Sequence, residues 1–316
     1  MKIVFLGNFS VSYSSENHHK KTLENLDHEV IPFQEGVATA DEILLAAQYA
    51  DMFVWVHTHG WQTTGTLTMP QVLLALKNGN VPTVTYHLDL WFGLDRQKDL
   101  EQDDFYKHIG YFFTVDKLMA DWFNENTEVK GHYLQAAVFE EECRPTHMFE
   151  KKRDVIFVGS KGYHHEWQYR PQLIDRLADT YRDQFTHIGG DGIGTIRGEQ
   201  LNAVYQNAKV AVGDSLCLNF DYPYYWSDRV YETLGRGGFI IHPYIKGMEE
   251  HFTDTKHLVF YKFGDFEELR HKINFYLEHD NLRERIRAQG QRHVKNHHTY
   301  RQRWEHIIKT VKEDMS

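Results

Sequence analysis

Short apolar runs recur along the chain, separated by stretches of mixed polarity long enough for helices. This alternation is the mark of strands joined by crossover helices in a parallel sheet. In the first half the strands fall at Lys2 to Leu6, Glu29 to Phe33, Met52 to His57, Thr83 to His87, Tyr111 to Val115 and His132 to Gln135. In the second half they fall at Val155 to Gly159, Gln184 to Ile188, Val210 to Val212, Phe239 to His242 and His257 to Tyr261. The pattern predicts two Rossmann-like, doubly wound α/β sheets, whose strand ends would face a shared cleft. Charges and Pro145 break the apolar rhythm from Glu140 to Lys152, so an N-terminal domain is expected over 1–145 and a C-terminal one over 146–299. The last helix, about Tyr300 to Glu313, is amphipathic through Trp304, Ile307, Ile308 and Val311, and residues 300–316 are expected to pack back on the first domain.

Length and composition narrow the class. A chain of 316 residues suits two domains at about 150 residues each. A net charge of -10 argues against nucleic acid as the main ligand, because that binding neutralises phosphates with Lys and Arg. The Lys/Arg-rich run from Arg283 to Arg303 reads as a solvated helix face. Two cysteines, Cys143 and Cys217, give no disulfide framework, and no apolar run approaches the ~20 residues of a membrane span. MKIVFLG is too short for a signal-peptide core and reads as a first strand, so a cytoplasmic protein is expected.

Chemistry concentrates where strands end. In SDRVYETLGRGGFII, Ser227 to Ile241, Glu232 sits in the first turns of a helix, and Gly235, Gly237 and Gly238 turn the chain into a strand. Helix starts favour anions and diphosphates, and a carboxylate there can take the paired hydroxyls of a ribose. The turn Gly159, Ser160, Lys161, Gly162 can set backbone N–H groups against a diphosphate. Gly189, Gly190, Asp191 and Gly192 form a loop open to close backbone approach or a plain turn, and Asp214 and Ser215 end the next strand. In VPTVTYHLD, Val81 to Asp89, His87 stands at a strand end, where it either faces the cleft or packs. His57 and His59 share a strand face, yet two histidines without further ligands make no metal site, and none is expected. The doublets His18/His19, His164/His165 and His297/His298 read as mostly surface. The opening turn GNFSVSYSS, from Gly7, offers Ser10, Ser12 and Ser14 as hydrogen-bonding groups. It lacks G-x-G-x-x-G, which weighs against a nicotinamide oxidoreductase.

VIFVGS, the turn after THIGG, SDRVYETLGRGG and HHTYRQRW, in this order, resemble the group 1 glycosyltransferases of the two-domain GT-B fold, nearest their spore-maturation-protein-like branch. The resemblance implies that Glu232 binds the donor ribose. It puts Tyr224 where a second glutamate is usual, with Asp221 or Asp228 as substitutes, and Ser160 where an arginine is usual, with Lys161 close by. Arg170 matches the family's lysine, and Arg229 is a second cation for the diphosphate. Gly190 lies in the loop that approaches the base, Gly7 in the loop bordering diphosphate and acceptor, and His87 beside the transferred sugar. Asp89 is one residue off the family spacing for a general base.

The implied reaction moves a hexose from a nucleotide-diphosphate sugar, UDP-sugar first, to an acceptor hydroxyl, with retention and with neither metal nor cofactor. The acceptor stays open among saccharide, protein, small molecule and modified nucleic acid base. A sugar-nucleotide epimerase, using Asp89 and Asp116, and a non-catalytic sugar-nucleotide-binding module are the rival readings.

Overall fold

The computed structural model describes residues 1–56, 63–148, 150–162 and 164–316. They form two compact units, Met1–Gln135 with Tyr300–Ser316, and Ala136–Thr299.

In the first unit, six strands β1 (Lys2–Gly7), β2 (Glu29–Gln34), β3 (Met52–Trp55), β4 (Thr83–His87), β5 (Tyr111–Thr114) and β6 (Lys130–Tyr133) make one parallel sheet. Its order is β2-β1-β3-β4-β5-β6. Ile3, Val4, Phe5 and Leu6 are all buried although they alternate faces, because helices cover both sides of a parallel sheet. The crossover helices begin on their own side chains. Thr39 and Glu42 cap one another reciprocally, as do Thr68 and Gln71. The terminal helix Tyr300–Met315 belongs to this unit, turning Trp304, Ile307, Ile308 and Val311 inward. The Trp304 indole donates to His19 Nδ1 at 3.1 Å, and burial pushes the His19 imidazole down to about 3.

In the second unit, β7 (Arg153–Val158), β8 (Phe185–Ile188), β9 (Ala208–Val212), β10 (Ile240–Pro243) and β11 (Val259–Tyr261) form a parallel sheet in the order β11-β10-β9-β7-β8. The chain steps from β7 outward to β8, then returns past β7 to β9. The connections leaving β7 and β9 therefore diverge, and a crevice opens between these neighbours at their carboxyl ends. The charged segment from Glu140 to Lys152 lies within this unit. Asn202 Nδ2 donates to the Glu142 carbonyl at 2.8 Å, and Arg236 pairs with the Glu142 carboxylate. All eleven strands expected from the apolar pattern are present. No helix among the described residues is long and apolar enough to cross a membrane. Cys143 and Cys217 are free and buried.

Candidate functional site

The β7/β9 crevice collects most of the donor-binding candidates. Gly159 follows β7 with φ +140°, which calls for glycine, and a Cβ there would come within 2.6 Å of Arg229 Nη2 and displace its guanidinium. Its carbonyl accepts from His187 Nε2 at 2.7 Å, and its N–H donates to the Ile188 carbonyl at 2.7 Å. The Asp191 carboxylate accepts the Lys161 N–H at 2.9 and 3.0 Å. The glycine loop after β8 thus grips the turn after β7. Gly190 is exposed at its tip. The Lys161 ammonium reaches outward to Asp175, and the Ser160 carbonyl accepts from Arg170 Nη1 at 3.4 Å.

Asp214 and Ser215 follow β9 and are fully buried. The Asp214 carboxylate accepts from Arg170 Nε at 2.7 Å and from Trp167 Nε1 at 3.1 Å to each oxygen. A buried ion pair therefore ties the helix Tyr169–Tyr181 to the end of β9. Arg229 is half-buried, donates from Nη1 to the Asp214 carbonyl at 3.2 Å and lies 5.7 Å above the Phe157 ring. Among the described residues it has no carboxylate within ion-pair distance. Desolvation holds its pKa below the usual arginine range, and the like charge of Arg170 adds to this. A desolvated cation facing such a crevice is stabilised by an anion.

Glu232 lies one turn into the helix Arg229–Gly235. Its Oε2 accepts from Arg236 Nε at 2.6 Å, and Arg236 also donates to Asn202 Oδ1 at 2.7 Å and to the Glu142 carboxylate. Burial raises the Glu232 pKa, opposed by the Arg236 charge and reinforced by Glu142. Its side chain keeps 21% of its surface, and Oε1 takes no bond from the described residues. This oxygen is open to a ligand hydroxyl. Tyr224 adopts a left-handed φ of +55° and donates its hydroxyl to Glu250 Oε1 at 2.7 Å. Asp221 and Asp228 are exposed, and Asp228 accepts from the Ser227 hydroxyl at 2.9 Å.

In the first unit, Gly7 ends β1, Ser14 caps the helix that follows by accepting the Asn17 N–H at 3.1 Å, and Ser10 bonds Asn8 at 2.6 Å. His87 is fully buried at the end of β4. Its Nε2 accepts from the Trp91 indole at 2.6 Å and its ring lies 5.4 Å from Phe112, so the ring is packed. Asp89 keeps 26% of its side-chain surface, 3.7 Å from Arg96. Asp116, the acid or base an epimerase would need, is buried as the cap of Lys117–Asn126, accepting the Leu118 N–H at 3.1 Å. His57 and His59 lie outside the described residues. Of the histidine doublets, His19 and His298 are buried among aromatic rings, while His18, His164, His165 and His297 keep surface exposure.

Sequence reasoning missed Trp167, His187 and Arg236. Only Arg236 had a readable signal, its spacing of four from Glu232 on a helix.

A family model described as glycosyl transferase-like matches residues 147–309. Among solved structures, HepE of Anabaena in complex with UDP and glucose is 13% identical, with TM-score 0.65 over 99% of this chain and 100% of its own. A glycosyltransferase of Rickettsia africae is 11% identical, with TM-score 0.60 over 99% and 98%. An alpha-glucosyltransferase in complex with UDP-glucose and DNA containing an abasic site is 11% identical, with TM-score 0.63 over 98% and 99%. These likenesses establish the GT-B fold. No curated protein matches the chain.

Proposed function

This chain belongs to the glycosyl transferase-like family, and on that premise we propose that it transfers a hexose from a UDP-sugar to an acceptor hydroxyl, the donor being held by the second unit. The observation that carries the proposal is Arg229, a desolvated guanidinium without a carboxylate partner among the described residues, at the β7/β9 switch point beside the Gly159 turn. The diphosphate occupies this crevice, with Arg229 as its main counter-charge. Arg170, tied to Asp214, adds to the local potential. Glu232 Oε1 takes the ribose hydroxyls. As the sugar departs, negative charge grows on UDP, and fixed guanidinium groups stabilise it without reorganising. This is the part a divalent cation plays in other diphosphate sites, so we propose a metal-independent reaction.

Retention and membership of the spore-maturation-protein-like branch follow from the motif resemblance. UDP and glucose are the first ligands to test because HepE and the alpha-glucosyltransferase are described with UDP and with glucose or UDP-glucose. The acceptor falls to the first unit, where Asp89 has open side-chain surface and His87 is buried against Trp91.

Isothermal calorimetry with UDP and a panel of UDP-sugars tests the reading. Wild-type protein is expected to bind UDP, and Arg229→Ala to bind it at least about tenfold more weakly, the worth of one charge-assisted bond. Glu232→Ala should weaken UDP while sparing inorganic diphosphate. Absence of binding to every UDP-sugar would overturn the proposal. Binding without release of UDP in the presence of cell-extract acceptors would leave a binding module in its place.

A further inference from the structure

We infer that His242 is a positioning residue for the donor site, fixing through Ser215 the backbone at Ser227 and hence the start of the helix that carries Arg229 and Glu232. The inference deepens the donor-site reading above and rests on it.

His242 Nδ1 lies 2.7 Å from the Pro243 carbonyl oxygen, which can only accept, so Nδ1 carries the proton. In the neutral ring Nε2 is then an acceptor, and the Ser215 hydroxyl, 3.0 Å away, donates to it. The same Ser215 oxygen accepts the Ser227 N–H at 2.9 Å. The Ser227 hydroxyl oxygen in turn accepts the Arg229 N–H at 3.2 Å. One line of hydrogen bonds therefore runs from the end of β10, past the end of β9, to Arg229. Its first two side chains, His242 and Ser215, have no exposed surface. Burial pushes the imidazole down to about 4, which keeps it neutral; the charged groups facing it are Asp214 and Arg229.

Two further observations fit. A Cβ on Gly213 would lie 2.5 Å from His242 Cδ2, so the glycine after β9 is what admits the ring. The connection from β9 to the helix also carries Asn219, Phe220 and Tyr224 at left-handed φ of +55°, +58° and +55°. Local preference works against such backbone, so its path depends on tertiary ties, and the one at Ser227 sets where it ends. The Ser215 hydroxyl is thus engaged within the protein at both its donor and its acceptor sides.

The test compares Ser215→Ala, His242→Leu and His242→Gln by amide hydrogen exchange over residues 216–230 and by UDP calorimetry. Ser215→Ala and His242→Leu should each speed exchange at Ser227 and Arg229 about tenfold and weaken UDP about tenfold, while the unit still unfolds cooperatively. His242→Gln places an acceptor near the former Nε2 and should return affinity to within about threefold of wild type. Wild-type exchange in Ser215→Ala, or a glutamine variant as impaired as the leucine one, would overturn the inference. Should His242→Leu fail to fold, Ser215→Ala, which removes one oxygen atom, decides alone. If the wild-type protein binds no UDP, the donor reading fails, while the exchange data still decide whether His242 holds the segment.

Discussion

Replacing Asp214 by alanine tests the electrostatic logic of the second unit. The carboxylate is fully buried, and its removal strands Arg170, whose side chain is only 7% exposed. Breaking a buried pair from one side costs about 3–5 kcal/mol, because the remaining charge loses its partner without regaining water. Trp167 Nε1–H loses its acceptor as well, a further ~1–3 kcal/mol taken alone. The two losses share one carboxylate and do not add fully, so about 4–5 kcal/mol is expected. For a unit of this size that lowers the melting temperature by about 8–20 °C. Differential scanning calorimetry is the assay, and the unfolding of the second unit is the part expected to move. Adding Arg170→Met to Asp214→Ala removes the stranded charge and should recover about half of the loss. A shift below about 3 °C for the single variant, or a double variant less stable than the single one, would refute the reasoning.

Three other outcomes follow from the same geometry. His242 and His257 are each pushed down to about 4 by burial, so between that value and about 6.5 the unfolded chain binds protons that the folded one refuses. Stability of the second unit should therefore fall with pH across this window, by about 2 kcal/mol per histidine from pH 7 to 5; urea titrations at the two pH values check it, and His257→Asn should remove about half. Gly159→Ala sets a Cβ against Arg229 Nη2 at a φ of +140°, so UDP affinity should drop about tenfold or more, a change calorimetry reads directly. Trp304→Ala empties a fully buried site in the first unit and should cost about 3–5 kcal/mol there, seen as a lowered first-unit transition with the second unchanged.

Much of this molecule was legible in the chain. Eleven apolar runs marked eleven strands, and the central ones are apolar throughout because both their faces are buried, as at Ile3 to Leu6 and Val155 to Phe157, whereas the edge strand Glu29–Gln34 stays partly exposed. Glu232 and Arg236, four apart on one helix, were within reach of the same reading. Individual candidates also declared their type, since glycine, arginine and carboxylate at strand ends carry their chemistry wherever they are placed. Their partners were not legible. Arg170 and Asp214 stand 44 positions apart and meet only because β7 pairs with β9 rather than β8 alone, and that order depends on pairings between distant segments. The fold likewise turned Lys161 outward to Asp175, sealed His87 behind Trp91 and, among the described residues, left Arg229 with no carboxylate within ion-pair distance. Local periodicity determines elements, because neighbouring residues set the backbone. Which side chains share a crevice, and which charge is left uncompensated there, depends on long-range packing that tertiary structure alone decides.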